Sequence, residues 1–327
     1  MATTDVKYLG LDLKSPIVVS SCSLTADVDK VKEMESCGAG AVVMKSLFEE
    51  QIRGEVEFMA SAGHSWPEMD DYLHAYIRSN SIAQYTEKVR ALKQAVSIPV
   101  IASINCYSPG EWVEYARQIE AAGADALEIN LYDLALDPRT SPASIEDGYV
   151  SVVRSIASEL RIPVAVKIGP HFSSIVNFVD RIATAGAKGV VIFNRFFTPD
   201  IDLEKFCLVP AAPLSHEGEY AEILRWTAIL ASAVKNVDIA TTTGVHSAES
   251  ALKMILAGAD TVQVCSVIYK HGPAVIKEFN EKIAAFLEKN NVESLSQIRG
   301  RLSYSTIPDP AMYERVQFMK TFGSLAL

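Results

Sequence analysis

Two lysines and three asparagines in this sequence each directly follow a short run of apolar residues. The lysines are Lys45 and Lys167, and the asparagines are Asn105, Asn130 and Asn194. A lysine at the end of a buried strand must face a polar cavity or be paired, and two in equivalent positions favour an anionic ligand. Asparagine amides donate and accept hydrogen bonds without exchanging protons, which suits the edges of a planar heterocycle. Taken singly, a lysine that reaches solvent or an asparagine that caps a loop is the alternative interpretation.

Two turns further along the chain offer groups that bind phosphate. Thr242-Thr243-Gly244-Val245 follows one apolar run, and Cys265-Ser266 follows the next. Backbone N–H groups in these turns, together with the N-terminus of a helix that begins near Ser247, would bind a phosphate dianion. A small anionic ligand that carries a phosphate is therefore the chemistry that these residues favour.

The elements that must position these residues are visible as repeats. In one repeated motif a helix ends at Gly-Ala and a run of β-branched residues follows directly. The Gly supplies the helix C-cap, and the apolar run suits a strand buried on both faces. The runs are Ala41-Val42-Val43-Met44, Ala126-Leu127-Glu128-Ile129, Val190-Val191-Ile192-Phe193 and Thr261-Val262-Gln263-Val264. Four runs introduced by a turn alternate with them, namely Ser15-Pro16-Ile17-Val18-Val19, Ile98-Pro99-Val100-Ile101, Ile162-Pro163-Val164-Ala165-Val166 and Val237-Asp238-Ile239-Ala240.

Eight strands separated by helices predict an α/β fold, a (β/α)8 TIM barrel. We expect one domain over residues 1–327, with an N-terminal extension, inserted βα loops and a C-terminal helical appendage after about Glu293. Barrel enzymes place their chemistry at the C-terminal ends of the strands, which is where the lysines, asparagines and turns fall.

Helical spacing between the strands supports this layering. Residues 81–96 carry apolar side chains at intervals of three and four, as in an amphipathic helix, and Ser108-Pro109 predicts the start of another helix that carries Trp112. The stretches 49–79 and 196–220 lack clear periodicity. We expect them to be long βα loops that shape the active site.

Composition excludes several classes of partner. Lysine and arginine number 30 against 40 aspartates and glutamates, a net charge of −10 without a basic run, so nucleic-acid or anionic-membrane binding is not expected. The 5 scattered cysteines fit a reducing compartment, and no apolar run reaches the ~20 residues of a membrane span. The 6 histidines show neither HxH nor HExxH spacing, so we expect no metal. A cytoplasmic location is the expectation.

The motifs, in their order, resemble the dihydroorotate dehydrogenase family, especially its soluble, fumarate-type class. The most specific pieces are Thr242-Thr243-Gly244-Val245, Leu256-Ala257-Gly258-Ala259-Asp260, Val262-Gln263-Val264 and Lys270-His271-Gly272-Pro273. Supporting pieces are Ser15-Pro16-Ile17, Lys45-Ser46, Glu128-Ile129-Asn130-Leu131, Val166-Lys167-Ile168 and Phe193-Asn194. The resemblance implies a barrel that binds FMN and an oxidoreductase that transfers hydride to flavin N5.

The resemblance also assigns roles to residues. It implies that Lys45 lies between flavin and substrate, that Asn130 and Asn194 bind substrate and flavin edges, and that Lys167 approaches the N1 and C2 carbonyl side of the ring, where positive charge favours reduction. The implied catalytic residues are Asp133, Lys45 and Lys167. The implied cofactor-binding residues are Ser20, Ser21, Lys45, Ser46, Asn130, Lys167, Asn194, Thr243, Gly244, Val245, Cys265 and Ser266.

Several positions depart from the family pattern. Asp133 stands where the family has the cysteine that acts as the active-site base, with Tyr132 and His171 as further candidates. Two substrate asparagines are missing: the segment Ala60-Ser61-Ala62-Gly63 replaces one, and Ala135 lies near the place of the other. Arg195 replaces a small residue beside Asn194, and Thr243 and Cys265 replace glycines.

The sequence thus predicts an FMN-dependent oxidoreductase that oxidises dihydroorotate or a related small anionic dihydropyrimidine-like substrate. One alternative is a non-redox lyase or isomerase barrel for a phosphate ligand, in which Lys167 serves as a Schiff-base or electrostatic residue. The other is a degenerate member of the family that binds a ligand without turnover. We expect a homodimer, and the electron acceptor is not identified by the sequence.

Overall fold

The computed structural model describes residues 3–48, 67–105, 112–132, 134–196 and 198–314, and for residues 67–80 it describes the backbone alone. The strands are β1 (Val6–Tyr8), β2 (Leu11–Leu13), β3 (Ile17–Val19), β4 (Ala41–Val43), β5 (Leu47–Phe48), β6 (Val100–Asn105), β7 (Ala126–Leu131), β8 (Val164–Ile168), β9 (Gly189–Ile192), β10 (Pro199–Asp202), β11 (Cys207–Pro210), β12 (Asp238–Thr242) and β13 (Thr261–Val264).

Eight of these strands form a closed parallel barrel. Going round it, the order is β3, β4, β6, β7, β8, β9, β12 and β13, and β13 pairs with β3 to complete the circle. These are the eight runs that the sequence predicted, so the (β/α)8 barrel is confirmed. The short β5 adds a second pairing to the end of β6.

Helices follow the strands and form the outer layer. They are α1 (Val28–Ser36), α2 (Pro67–Ala95), α3 (Trp112–Ala121), α4 (Pro142–Ala157), α5 (Ile175–Thr184), α6 (Tyr220–Ala233), α7 (Ala248–Ala257), α8 (Ser266–His271) and α9 (Ala274–Lys289). The helix α7 begins beside Ser247, as expected; the Ser247 side chain caps it, and Gly258 ends it with φ +130°. A Cβ at Gly258 would lie 2.3 Å from Cβ of Ala231, so this glycine of the repeated motif also permits close packing of the end of α7 against α6.

The apolar core has two layers because the strand side chains alternate in direction. Outward-facing residues such as Ile17, Leu127 and Val190 pack against the helices in one large cluster. Inward-facing residues form a second cluster that the N-terminal hairpin β1–β2 closes from below, and Leu9 N donates to Oδ2 of Asp238 at 2.7 Å. The inward-facing cluster consists of Tyr8, Leu9, Leu13, Val18, Ala41, Val43, Ile101, Ala126, Ala165, Val191 and Ala240.

Three segments differ from the prediction or refine it. The helix expected over residues 81–96 begins at Pro67, so the end of the stretch 49–79 is helix rather than loop. The stretch 196–220 contains the antiparallel hairpin β10–β11. In its described part the C-terminal appendage carries two 3-10 turns, Leu295–Gln297 and Pro310–Tyr313, instead of α-helix. Ser108-Pro109 lies outside the described residues.

Within the described part of the chain, no helix has the length and apolar character needed to cross a membrane.

Candidate active site

Above the apolar inner layer, the inward-facing positions of the barrel become polar. Glu128 and Lys167 lie two residues after the inward-facing Ala126 and Ala165, so they point to the same side of their strands. Their side chains are buried, as are those of Gln263 on β13 and Ser20 just after β3. Charged and amide groups with so little exposure require partners.

Those partners form a continuous chain across the barrel. Lys167 Nζ donates to Ser20 Oγ at 3.2 Å, and Ser20 Oγ donates to Gln263 Oε1 at 3.0 Å. Gln263 Nε2 then donates to Glu128 Oε2 at 2.7 Å, while Glu128 Oε1 lies 3.8 Å from Lys167 Nζ. This chain of hydrogen bonds runs from the Lys167 ammonium to the Glu128 carboxylate, and each group donates to the next one in that direction.

A second polar cluster joins the ends of β3, β4 and β6. Ser46 N donates to Ser21 Oγ at 3.0 Å, and the two hydroxyl oxygens are 3.1 Å apart. Ser46 Oγ lies 2.7 Å from Ser103 Oγ on β6. Lys45, the residue before Ser46, is exposed. The structure therefore brings Ser21 and Ser46 together, as expected of residues at neighbouring strand ends.

The three asparagines also meet at the barrel mouth. Asn194 Nδ2 donates to Asn130 Oδ1 at 3.1 Å, and Asn130 lies opposite Asn105 in the pairing of β6 with β7. Asn105 is 8 % exposed, and its Oδ1 has no hydrogen-bond partner among the described residues. A buried acceptor without a partner is a place where a ligand donor fits.

A cavity of about 380 Å³ opens between these groups and the ends of β12 and β13. Its walls include nine of the predicted site residues: Ser20, Ser21, Lys167, Asn194, Thr243, Gly244, Val245, Cys265 and Ser266. Asn130 is connected to it through Asn194, and Ser46 through Ser21. Asp133 lies outside the described residues.

The turn after β12 has the backbone conformation that its glycine permits. Gly244 has φ +76°, and a Cβ there would lie 2.4 Å from Tyr220 N. Thr243 adopts φ +79°, which is costly for a β-branched residue, and its Oγ1 donates to Phe193 O at 3.2 Å. The side chain that replaces a family glycine at position 243 is thus accommodated by a hydrogen bond rather than by free space.

The end of the cavity near Ser266 is covered by residues 213–215. Ser215 N donates to Ser266 Oγ at 3.0 Å, which leaves the hydroxyl proton of Ser266 for another acceptor. Lys270 Nζ donates to Ser215 O at 2.7 Å, and Ser215 Oγ lies 2.9 Å from His246 Nε2. Burial lowers the pKa of His246, and the positive charge of Lys270 lowers it further. This end of the cavity suits an anion.

Arg195, which replaces a small residue of the family pattern, lines the cavity and holds this cover in place. Its Nε donates to Glu219 Oε2 at 2.9 Å, and its other nitrogens donate to the carbonyl oxygens of Ala212 and Pro213, each at 3.0 Å. Arg195 therefore has a structural role that accounts for its presence beside Asn194.

Two thiols face each other across the cavity wall. The Cys265 thiol hydrogen bonds to Cys22, which lowers the pKa of Cys22 to about 6 and raises the pKa of Cys265. Tyr269 also lines this wall, and its hydroxyl lies 2.5 Å from Ser23 Oγ. The side chain that replaces a family glycine at position 265 thus gives the cavity a low-pKa sulfur.

The other candidates for the proton-transfer role lie beside a second cavity, of about 640 Å³, that opens beyond β7 and β8. Tyr132 stacks on Phe196 with ring centroids 4.1 Å apart, and its ring covers Gly169. Burial raises the pKa of the Tyr132 hydroxyl. His171 is exposed and lines this second cavity, as does Ala135. His171 therefore does not line the cavity that contains Lys167.

Two residues of the polar chain were not predicted as site residues. Glu128 was noted only as part of a motif, and Gln263 only as part of a strand, yet both are about 1 % exposed and bonded to each other. The signal that marks them is a charged or amide residue within an otherwise apolar strand, because such a residue is buried only if it is paired.

Comparison with known proteins agrees with this architecture. The family model described as dihydroorotate dehydrogenase matches residues 3–287. A protein of Aeropyrum pernix provisionally named dihydroorotate dehydrogenase A (fumarate) is 30 % identical, over 90 % of this chain and 96 % of its own length. The protein of Thermoplasma volcanium named dihydroorotate dehydrogenase B (NAD(+)), catalytic subunit, is 25 % identical over 92 % of this chain and 98 % of its own. That of Lactobacillus delbrueckii named dihydroorotate dehydrogenase A (fumarate) is 26 % identical over 93 % of this chain.

The match extends over nearly the whole barrel, and the predicted resemblance is confirmed. The chain belongs to the dihydroorotate dehydrogenase family, a family of oxidoreductases.

Proposed function

We propose that this protein is an FMN-dependent dehydrogenase that oxidises dihydroorotate or a closely related small anionic dihydropyrimidine. The observation that carries the proposal is the buried Lys167, which lines the same cavity as the Gly244 turn and Ser266. A buried cation at one end of a cavity and phosphate-binding groups at the other fit a cofactor with a polar ring and a phosphate.

The residues of the cavity fit FMN in size and chemistry. Its volume of about 380 Å³ lies in the range of roughly 300 to 1,000 Å³ that is usual for ligand cavities. Backbone N–H groups of Gly244 and Val245, the Ser266 hydroxyl and the N-terminus of α7 would hold the phosphate. Ser20, Lys167 and Asn194 would bind the ring, and FMN would supply the hydride acceptor.

The substrate would bind above the ring, at the barrel mouth. The exposed Lys45 offers a cation for a substrate carboxylate, and the Asn130–Asn194 pair offers amide groups for a planar ring. We assign the role of general base to Asp133, which would take a C–H proton from the substrate as the neighbouring hydride departs. Both asparagine side chains would also exclude competing orientations of the ring.

Release and identification of the cofactor test the proposal. We expect the purified protein to be yellow and to release FMN on denaturation, as identified by mass spectrometry. FAD in the extract would contradict the assignment of the cavity. A colourless protein that gains no visible absorbance when FMN is added would favour the non-redox barrel, whereas bound flavin that no dihydropyrimidine reduces would favour ligand binding without turnover.

We also propose that residues 1–327 form one FMN-binding domain and that the protein is a homodimer. The hairpin β10–β11 and its turn expose Ile201, Leu203, Phe206 and Leu208, and a second copy of the chain would cover such an apolar surface. Sedimentation equilibrium should give twice the mass of the chain, and a change of Phe206 to Ser should lower that mass. A monomer at micromolar concentration would exclude the dimer.

A further inference from the structure

The buried carboxylate of Glu128 lies behind the cavity rather than in its wall. Ser20, Lys167 and Gln263 line the cavity, whereas Glu128 is not among its lining residues. Glu128 is about 1 % exposed, so its negative charge is not solvated by bulk water. The reason for a carboxylate at this depth must therefore lie in what it does to its neighbours.

Only one oxygen of Glu128 is held by a hydrogen bond among the described residues. Oε2 accepts from Gln263 Nε2 at 2.7 Å, while Oε1 has no hydrogen-bond partner and lies 3.8 Å from Lys167 Nζ. The free oxygen thus faces the ammonium group as a counter-charge. A buried ion pair needs additional hydrogen bonds to offset its desolvation, and the chain through Gln263 and Ser20 supplies them.

Each link of that chain has one possible direction. Lys167 can only donate, so Ser20 Oγ accepts from it and uses its own proton for Gln263 Oε1. The amide of Gln263 is then fixed with its nitrogen toward Glu128. Glu128 therefore orients, through Gln263 on β13 and Ser20 at the end of the neighbouring β3, the hydrogen bond that holds the lysine at the cavity.

We propose that Glu128 is a positioning residue which, with Gln263 and Ser20, keeps Lys167 protonated and directed into the cofactor cavity and thereby sets the reduction potential of the bound cofactor. The inference rests on the proposed function, because it requires FMN. A lysine with a fixed buried counter-charge retains its proton in both redox states of the cofactor. Without that counter-charge, the ammonium loses its proton readily and regains it when reduction places negative charge beside it.

The consequence is one additional proton taken up on reduction. For a two-electron couple each proton contributes 29.6 mV per pH unit, because a tenfold change in an equilibrium constant corresponds to that potential. We therefore expect the potential of a Glu128→Gln protein to fall more steeply with pH than that of the wild-type protein, by up to 29.6 mV per pH unit where Lys167 titrates.

The experiment measures the midpoint potential of the bound FMN between pH 6 and pH 9 by equilibration with reference dyes. Glu87→Gln is the matched control, since Glu87 is an exposed partner of Arg90 on α2, and Glu128→Asp is the conservative variant. We expect wild-type slopes for both and a steeper slope for Glu128→Gln. Parallel lines for Glu128→Gln and wild type would overturn the inference.

A folding defect would not leave the question open. If Glu128→Gln does not accumulate with bound FMN, Glu128→Met removes the same counter-charge without adding a buried amide, and we again expect a steeper slope; an unchanged slope for that variant would equally overturn the inference. Wild-type protein that binds no FMN would overturn the proposed function itself, whereas FMN-loaded variants with wild-type slopes overturn only the role of Glu128.

Discussion

At the scale of single residues, Lys167 combines a predicted role with an environment that the sequence did not reveal. The lysine was expected to face a polar cavity or be paired, and the resemblance placed it at the N1 and C2 carbonyl side of the flavin. The structure adds a buried carboxylate 3.8 Å away, so a neutral residue at position 167 leaves Glu128 without its counter-charge. Replacement of Lys167 should therefore change both the stability of the fold and the reduction of the bound flavin. A second substitution, at Glu128, can separate the two effects.

Replacement of Lys167 by Met should lower the free energy of unfolding by about 3 kcal/mol, because an unpaired charge stays buried. The double variant Lys167→Met/Glu128→Gln should recover at least half of that loss, since no net charge is then buried. Photoreduction of its bound FMN should remain slower than in the wild type. Denaturant unfolding and anaerobic photoreduction measure the two effects; equal stability of the single and double variants would contradict the ion pair.

The thiol of Cys22 should react as an anion near neutral pH. Its pKa of about 6 means that the thiolate predominates above pH 6 and is lost as the pH falls through that value. The rate of alkylation by iodoacetamide should therefore rise between pH 5 and pH 7 and then level, and bound FMN should slow it. Peptide mapping identifies the modified residue. A rate that continues to rise up to pH 9 would show an ordinary thiol.

Asp133 is the predicted base, and its test depends on turnover rather than on geometry. Asp133→Asn should retain FMN while substrate oxidation slows by about 10²-fold or more, the usual weight of a general base. The wild-type rate should rise with pH as the carboxylate loses its proton. Unchanged turnover would remove Asp133 from the mechanism, and slower turnover with lost flavin would assign it a structural role and direct attention to Tyr132.

At the scale of elements, the turn after β12 is the part of the site that least tolerates an added side chain. Gly244→Ala places a Cβ about 2.4 Å from Tyr220 N at a positive φ, so the turn must shift. We expect FMN affinity to fall at least tenfold, as measured by fluorescence titration. Gly148→Ala is the control: no atom lies within 4 Å of its added Cβ, and alanine in the interior of α4 should stabilise by roughly 0.5–1 kcal/mol. Wild-type affinity in Gly244→Ala would contradict the assignment of the turn.

The strands were predictable because a local signal precedes each of them, either Gly-Ala or a turn, and all eight lie where expected. The start of α2 at Pro67 was missed, although Met69, Leu73 and Tyr76 repeat at helical intervals. The polar chain could not be predicted in the same way. Glu128 and Gln263 are 135 positions apart and belong to strands that are not neighbours in the barrel, so their contact depends on closure of the whole sheet.

At the scale of the whole molecule, the barrel is graded from an apolar base to a polar mouth. The hairpin β1–β2 and the inward-facing small residues fill the base, the buried ion pair lies above them, and the asparagines lie at the end of the strands. The chain has a net charge of −10, yet Lys45 and Lys167 are concentrated at this end. A small anion is thus attracted locally, because charges beyond about 8 Å are largely screened at physiological salt.

The most direct test of the account is anaerobic mixing of the purified yellow protein with dihydroorotate. We expect the visible absorbance of the bound FMN to disappear and orotate to form in an amount equal to the flavin, with the Lys167→Met/Glu128→Gln protein reacting more slowly. Full bleaching by dithionite but none by dihydroorotate or another dihydropyrimidine acid would contradict the proposed function.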